Sequence, residues 1–418
     1  MFQAWVIWLL STIFMFYKYA IEVSPSIMSS DLMKEFSLTG AQMGNFAASY
    51  FYAYLLLQIP AGLLLDRWGP RRVATTAILV CACGVFLFSI ATTFYIACIG
   101  RFLTGVGAAF AAVNCIKLIA NWFPIGKYAF MMGLMMTLAM LGAVGGQAPL
   151  SYLISHLGWR HTMELLALAA VILAVVFVLI VRDRAPHHRE VDLLPEKPGT
   201  LKNLKNVLSN RQSWYLSLYS GLAFAPVSAF GGLWSVSFLT QAYGFSHHTA
   251  AKASSLIFLG FAFGAPIFGW LSDKIGKRRP VMFWGTLAAT FSLATVFYVP
   301  ALPAALIFIL LFVFGFAISS FLLCFSMIKE SYPAIIAGTS FGFMNAFDAL
   351  FGAFSDPLTG KILDLWWTGH EVNGARVFPL TAYHIGLSIL TVYLIGSLIL
   401  IKYIRETHCK QYVSPGLP

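Results

Sequence analysis

Gly62-Leu-Leu-Leu-Asp66-Arg67-Trp-Gly69-Pro70-Arg71-Arg72 and Gly269-Trp-Leu-Ser-Asp273-Lys274-Ile-Gly276-Lys277-Arg278-Arg279 are near-copies of one phrase. Each stands where a long apolar run stops, so the chain reads as a duplicated membrane protein whose halves share one plan. Composition agrees with a lipid solvent. Hydrophobic residues make up 59% of the 418 positions and charged residues 10%, more apolar surface than a water-soluble fold can hide.

A helix needs roughly 20 apolar residues to cross about 30 Å of hydrocarbon. Twelve such runs can be counted, at 4–28, 40–64, 73–92, 94–119, 129–153, 161–181, 212–240, 248–271, 280–299, 302–328, 338–363 and 379–402. Gly and Pro interrupt them and no alternating ten-residue pattern suggests a barrel, so the expected class is an all-α membrane protein of twelve transmembrane helices in two pseudo-symmetric six-helix halves. The first run starts almost at Met1 without a basic leader and continues past Lys18 and Glu22, which fits a retained span better than a cleaved signal.

Alternate loops differ sharply in basic residues. One set holds 18 Lys and Arg, among them Arg67, Arg71, Arg72, Lys274, Arg278 and Arg279; the other holds five, Lys34, Arg160, Lys252, Lys361 and Arg376. The rule that basic loops stay inside sets both termini in the cytoplasm. It also accounts for the net charge of +11 as topology and contact with anionic lipid, so no nucleic-acid partner is expected. A polar stretch with His187, His188, Pro195, Pro198 and Gly199 divides the chain into halves at 1–183 and 212–405, joined by a linker at 184–211 and followed by a tail at 406–418. A short surface helix is expected near Leu201–Leu208. Asn121-Trp-Phe-Pro124 and Glu330-Ser-Tyr-Pro333 close the fourth and tenth runs in the same way.

These residues give the chain a family likeness. Over essentially its full length it resembles the major facilitator superfamily, whose Gly-x-x-x-Asp-Arg-x-Gly-x-Arg-Arg signature matches Gly62–Arg72 and recurs with Lys274 in the second half. Arg101-Phe-Leu-Thr-Gly105 in the fourth run and Gly142-Ala-Val-Gly145-Gly146-Gln-Ala-Pro149 in the fifth look like two further superfamily patterns. The stretches Val23-Ser-Pro25, Ser49-Tyr50-Phe51-Tyr52-Ala53-Tyr54 and Gln58-Ile-Pro60 are similar to bacterial organic-anion and sugar-phosphate permeases. They are also similar to nutrient or carboxylate-siderophore permeases of intracellular bacteria and to lysosomal peptide carriers. The resemblance implies the major facilitator fold, a bacterial inner membrane, and a conformational latch at Asp66, Arg67, Arg71, Arg72, Asp273, Lys274 and Arg278. By residue type the carboxylates suit helix N-terminal amides across the halves, and the cations suit carboxylates and lipid phosphates; the alternative is a set of topology-setting charges around a tight turn.

Charges inside spans each cost a few kcal/mol unless they face a cavity or a partner, and so are functional candidates. Lys18 and Glu22 lie one helical turn apart, able either to pair or to offer both signs to a solute. The resemblance puts the first, fourth, seventh and tenth helices around the cavity. Arg101 is a candidate for an anionic solute or a fork donor to backbone carbonyls, and Lys117 for a site residue or an interfacial anchor. Asp348 stands about mid-span, where a carboxylate is held by a proton, by a cationic neighbour, or by both. It is the leading candidate for proton coupling, with Glu22 and Asp356 beside it; Asn345 is a candidate partner for Asp348, and Asp356 could instead serve backbone groups freed by Pro357. Tyr50, Tyr54, Asn114, Tyr219, Trp234 and Ser320 complete the candidate solute contacts, while the 37 Phe residues read as lipid contact.

No phosphate-cradling Gly-x-x-x-x-Gly-Lys loop occurs. Cys81 and Cys83 point apart on a helix and the histidines lack matching ligands, so no metal, cofactor or enzyme activity is expected. The reading is a secondary active transporter working by alternating access, with proton-coupled uptake of a small polar organic solute bearing a carboxylate or phosphate. Its expected partners are that solute, protons and the lipid bilayer, and it is expected to act as a monomer. The alternatives are an uncoupled or exchange carrier of amino acids, short peptides or organic phosphates and, further off, a transporter-like solute receptor.

Overall fold

The computed structural model describes residues 2–183, 200–372 and 374–410. The stretches 184–199 and 411–418 of the expected linker and tail, and the side chain of Asp66, lie outside the described residues. Among the described residues the chain forms twelve helical spans. Span 1 is Phe2–Val23 prolonged by Pro25–Phe36. Spans 2, 3 and 4 are Gly40–Trp68, Pro70–Ser89 and Phe94–Trp122. Span 5 begins as Ile125–Gly145 and runs into Ala148–Ile180, which breaks at Gly158 (φ 77°) to start span 6. Spans 7 to 12 are Arg211–Tyr243, His247–Ile275, Arg279–Tyr298, Ala304–Glu330, Ala334–Leu365 and Leu380–Ile401. A helix at Thr200–Ser209 precedes span 7, and a two-residue hairpin pairs Glu371–Val372 with Ala375–Arg376 before span 12.

The repeated phrase folds alike in both copies. Gly69 and Gly276 hold φ of 80° and 70°, a region that favours glycine, and each lets one span end and the next begin within a few residues. Pro70 then takes the first helical position, where its missing N–H costs nothing. The following helix is braced in parallel fashion. Asp183 Oδ1 accepts the Arg71 N–H at 2.7 Å, and Arg71 donates Nη2 and Nε to Val178 O at 2.6 and 2.9 Å. In the second half Glu406 accepts the N–H of Arg278 and Arg279 at 2.8 and 2.9 Å, and Arg279 reaches Ile401 O and Lys402 O at 3.1 and 3.2 Å. Glycine contacts repeat as well: Gly105 lies against the Tyr50 backbone, and Gly315 against that of Ile257.

The two ends of the bundle are unlike. At the end away from the repeated loops, spans 2 and 11 cross with Gly40 against Gly360 and Gly44 against Asp356, too close for any Cβ. Asp364 accepts the Gly40 and Ala41 N–H groups, both at 2.7 Å. Gln147 donates to Gly231 O at 3.0 Å, Ser29 pairs with Ser237 at 3.0 Å, and Ala148 N donates to Ser255 at 3.1 Å. This far end is sealed. Toward the loop end, Asn345 donates to Gln58 at 2.7 Å, a further bridge between spans 11 and 2.

Span 1 departs from a single rod for a local reason. Pro25 has no N–H for the Ile21 carbonyl, and the helix kinks at Ser24. The Ser24 hydroxyl covers part of the gap, donating to Ile21 O at 2.9 Å.

Candidate functional site

A cavity of about 310 Å³ lies between the halves, of a size that holds small-molecule ligands. Lys18, Tyr19 and Glu22 of span 1, Tyr50 and Tyr54 of span 2, and Arg101 of span 4 enter its wall from the first half. Asn345, Asp348 and Asp356 of span 11 enter from the second.

The Lys18 ammonium and Glu22 carboxylate form a buried ion pair within the helix. Tyr50 Oη donates to Glu22 Oε2 at 2.9 Å. The ammonium also sits 3.6 Å from the Tyr19 ring centre and 5.1 Å from that of Tyr54, so a carboxylate and two ring faces share one cation. Arg101 is spent differently. Its guanidinium, 2% exposed, donates Nη1 to Ile21 O at 2.9 Å and Nη2 to Glu22 O at 3.3 Å, closing the gap that Pro25 opens. A planar fork suits two adjacent carbonyls where a lysine would not. Arg101 and Asp356 also interact electrostatically, while Asp356 Oδ1 has no hydrogen-bond partner.

Asp348 is 6% exposed and accepts the Ser220 hydroxyl at 2.6 Å. Asn345, the partner considered from sequence, turns instead to Gln58 and to Tyr54 Oη at 3.4 Å. Among the described residues no ion pair engages Asp348.

Five other candidates point into the packing of one half, away from the cavity. Asn114 donates to Ser11 at 3.4 Å, behind span 1. Tyr219 pairs with Thr286 at 2.9 Å, between spans 7 and 9. Trp234 is 1% exposed at the end of a wide-turn segment, Pro226–Trp234, and Ser320 is wholly buried against Gly285. Lys117 belongs to the basic end, where Nζ donates to Leu65 O at 3.1 Å beside Arg71 and Asp183. Each has the right chemistry on the wrong helical face, which hydropathy alone does not distinguish.

Of the expected latch residues, Arg71, Asp273, Lys274 and Arg278 make contacts within their own halves in this state. Arg278 donates to Asp273 Oδ1 at 2.7 Å, Ser272 Oγ at 2.5 Å and Glu330 Oε1 at 2.7 Å. Lys274 lies 5.0 Å from the Trp270 ring centre, Arg71 is bound as above, and Arg67 and Arg72 are exposed. Asp183 and Glu406 were missed from sequence, because each stands beyond the end of an apolar run with no pattern around it. Glu406 is partly buried, which pushes its carboxyl up, but the N–H donors of Arg278, Arg279, His408 and Thr407 outweigh this and hold it below its usual range. The cavity's Phe and Met residues were also missed: Phe224, Phe258, Phe261, Phe321 and Phe325 line it, with Met132, Met136 and Met140. Lipid contact does not account for these rings.

A family profile of the Major Facilitator Superfamily matches residues 7–356 and 216–404. The chain belongs to the Major Facilitator Superfamily. This facilitator is 25% identical over 398 residues to the probable galactarate/D-glucarate transporter GarP of Escherichia coli (strain K12), covering 86% of this chain and 87% of that one. It is 23% identical to a probable hexose phosphate transport protein of Chlamydia pneumoniae, over 81% and 80% of the two chains. In fold it is similar to a bacterial homologue of the human lysosomal transporter Spinster, with a TM-score of 0.78, 16% identity and 99% of both chains covered.

Proposed function

We propose that this facilitator carries a small organic anion with a carboxylate or phosphate head by alternating access, taking it up together with protons. The observation that carries this reading is the buried Lys18–Glu22 pair in one cavity with Asp348, between the halves and sealed at one end. GarP and the Chlamydia protein, named as carriers of a sugar diacid and a hexose phosphate, support an anionic head.

The chemistry runs through charge balance. A solute anion that takes Lys18 as counter-ion leaves Glu22 without one, and a proton on Glu22 then removes a bare charge from the membrane interior. Asp348 stands in the same wall and repels an anion unless it too holds a proton. Asp356 is the third carboxylate, within electrostatic reach of Arg101. Net uptake of solute with protons follows, and Lys18 and Glu22 re-pair once the cavity empties.

The membrane is the bacterial inner membrane, with both termini and the basic end toward the cytoplasm, as the distribution of Lys and Arg supports; the structure is then the inward-open state of a monomer. Residues 1–183 and 212–405 act as the two moving halves across the linker at 184–211.

The test is proteoliposomes with a trapped pH dye. Addition of a transported carboxylate or phosphate alkalinises the outer medium and acidifies the lumen in the wild type. Lys18→Gln abolishes the response, and Asp348→Asn removes pH-driven accumulation while leaving exchange. Accumulation that survives Asp348→Asn, or solute flux without proton flux in the wild type, refutes proton coupling and favours an exchange carrier.

A further inference from the structure

Most polar groups among the described lining residues come from spans 1, 2, 4 and 11, the exception being Ser228 of span 7, whose hydroxyl has no hydrogen-bond partner. Lys18, Tyr19, Tyr54, Asn345 and Asp348 come from spans 1, 2 and 11, linked by the Asn345 to Tyr54 contact at 3.4 Å. Spans 7, 8 and 10 bring a connected set of rings. Phe321 has Phe224, Phe261 and Phe325 with ring centres at 6.0, 5.9 and 6.3 Å, and Phe325 lies tilted against Phe341 of span 11 at 4.9 Å. Met132, Met136 and Met140 of span 5 extend this apolar wall. A solute seated against Lys18 therefore lays its carbon body on rings and thioethers, which offer no strong hydrogen-bond partner.

The charges limit the head group. Arg101 gives two of its donors to the Ile21 and Glu22 carbonyls, so among the described lining residues Lys18 is the cation best placed for a solute, and only in exchange for Glu22. A single negative charge matches it; a dianion leaves one charge unpaired. Resting on the anion reading above, we infer that the solute is an amphipathic monocarboxylate whose body is aromatic or branched aliphatic. A polyhydroxylated sugar acid or sugar phosphate would bury several hydroxyls against Phe and Met with no partner, each at the cost of a lost hydrogen bond to water. This separates the chain from the solutes named for its relatives.

The experiment measures binding to the full chain in detergent at a pH near 6, with four probes: 4-phenylbutyrate, its neutral amide, gluconate and glucose 6-phosphate. 4-Phenylbutyrate binds, gluconate and glucose 6-phosphate bind at least about tenfold more weakly, about 1.4 kcal/mol, and Lys18→Gln abolishes the preference for the acid over the amide. Phe325→Ser, at a half-buried position, weakens 4-phenylbutyrate about tenfold and leaves the response to Lys18→Gln intact. Gluconate or glucose 6-phosphate binding more tightly than 4-phenylbutyrate, and lost in Lys18→Gln, overturns the apolar body and keeps the anion. Equal binding of acid and amide, unchanged in Lys18→Gln, overturns the anion reading itself. Silence from all four probes overturns the proposed class.

Discussion

Asp364 gives the most direct handle on the sealed end, because it joins the halves through two backbone donors of one helix start. Span 2 begins with the capping pair Thr39 and Gln42, which serves the Gln42 N–H and leaves Gly40 and Ala41 to be satisfied from outside. Asp364 does so with both oxygens at 2.7 Å, and Arg376 at 3.2 Å steadies the carboxylate. A hydrogen bond to a charged group contributes about 1.5–3 kcal/mol, and an anion at a helix N-terminus adds about 0.3–1 kcal/mol. The Asp364 side chain is 19% exposed, so solvent screens part of this. Asp364→Asn keeps one acceptor and turns an amide N–H toward a backbone donor, for an expected loss of about 2 kcal/mol from the sealed state. That is about a 30-fold shift of the equilibrium between sealed and open far ends. Spin labels at the exposed positions Ser155 and Lys361, on a background without native cysteines, report the distance across that end by double electron–electron resonance. A growing long-distance population in Asp364→Asn is expected. An unchanged distribution refutes the idea that this carboxylate holds the halves together.

Three further outcomes follow from other contacts. Gly360→Ala places a Cβ on the Gly40 carbonyl; the same spin pair should report a far end held open, and a normal sealed distance would show that the crossing has slack. Arg101→Lys cannot reach both carbonyls freed at the span 1 kink, so thermal unfolding should drop by the equivalent of about 2–3 kcal/mol, and unchanged stability would remove Arg101 from that role. For Glu406, the folded carboxyl lies below its usual value, so its contribution is present above the unfolded pKa of about 4.3 and is lost as pH falls through the lower folded value. Hydrogen exchange at the Arg278 and Arg279 amides should therefore stay slow at pH 5–7 and quicken only in stronger acid, whereas Glu406→Gln should quicken it throughout; protection in the variant equal to that of the wild type at pH 5–7 would count against the brace.

The spans were legible because twenty apolar residues in a row admit one main reading in lipid, and the doubled phrase gave the halves. Span 1 was legible only in part: its apolar run reads as 4–28, whereas the helix kinks at Ser24 and resumes from Pro25 to Phe36, beyond the hydrophobic stretch that hydropathy detects. Lys18, Glu22 and Asp348 stood out because a charge in hydrocarbon is rare enough to flag itself. Nothing comparable marks an apolar side chain. Phe321 in the cavity and Phe291 on the outside, 68% exposed, are the same residue in equally apolar runs, and only the packed spans separate them. Asn114 and Tyr219 lie outside the cavity for the converse reason, since a polar group inside a span is satisfied as well by a neighbouring helix as by a solute.

In this state the described charges of the repeated phrase work inside their own halves: Arg71, Arg278 and Arg279 bind Val178 O, Glu330 and Ile401 O, and a latch at that end would close only in the opposite state. Crossing contacts are instead concentrated at the far end, in Asp364, Gln147 and Ser29. The two sets have unlike tasks. Bonds inside a half keep six helices moving as one body, and must hold in every state. Bonds across the seal are few and go to backbone or hydroxyl, each contributing at most a few kcal/mol that water can partly replace, and that is the property a reversible seal requires. Weakening Arg279 or Glu406 should therefore loosen one half in both conformations, while weakening Asp364 should shift the balance between conformations and leave each half intact. A variant of Arg279 that changes the distance across the far end without lowering the stability of the second half would contradict this division.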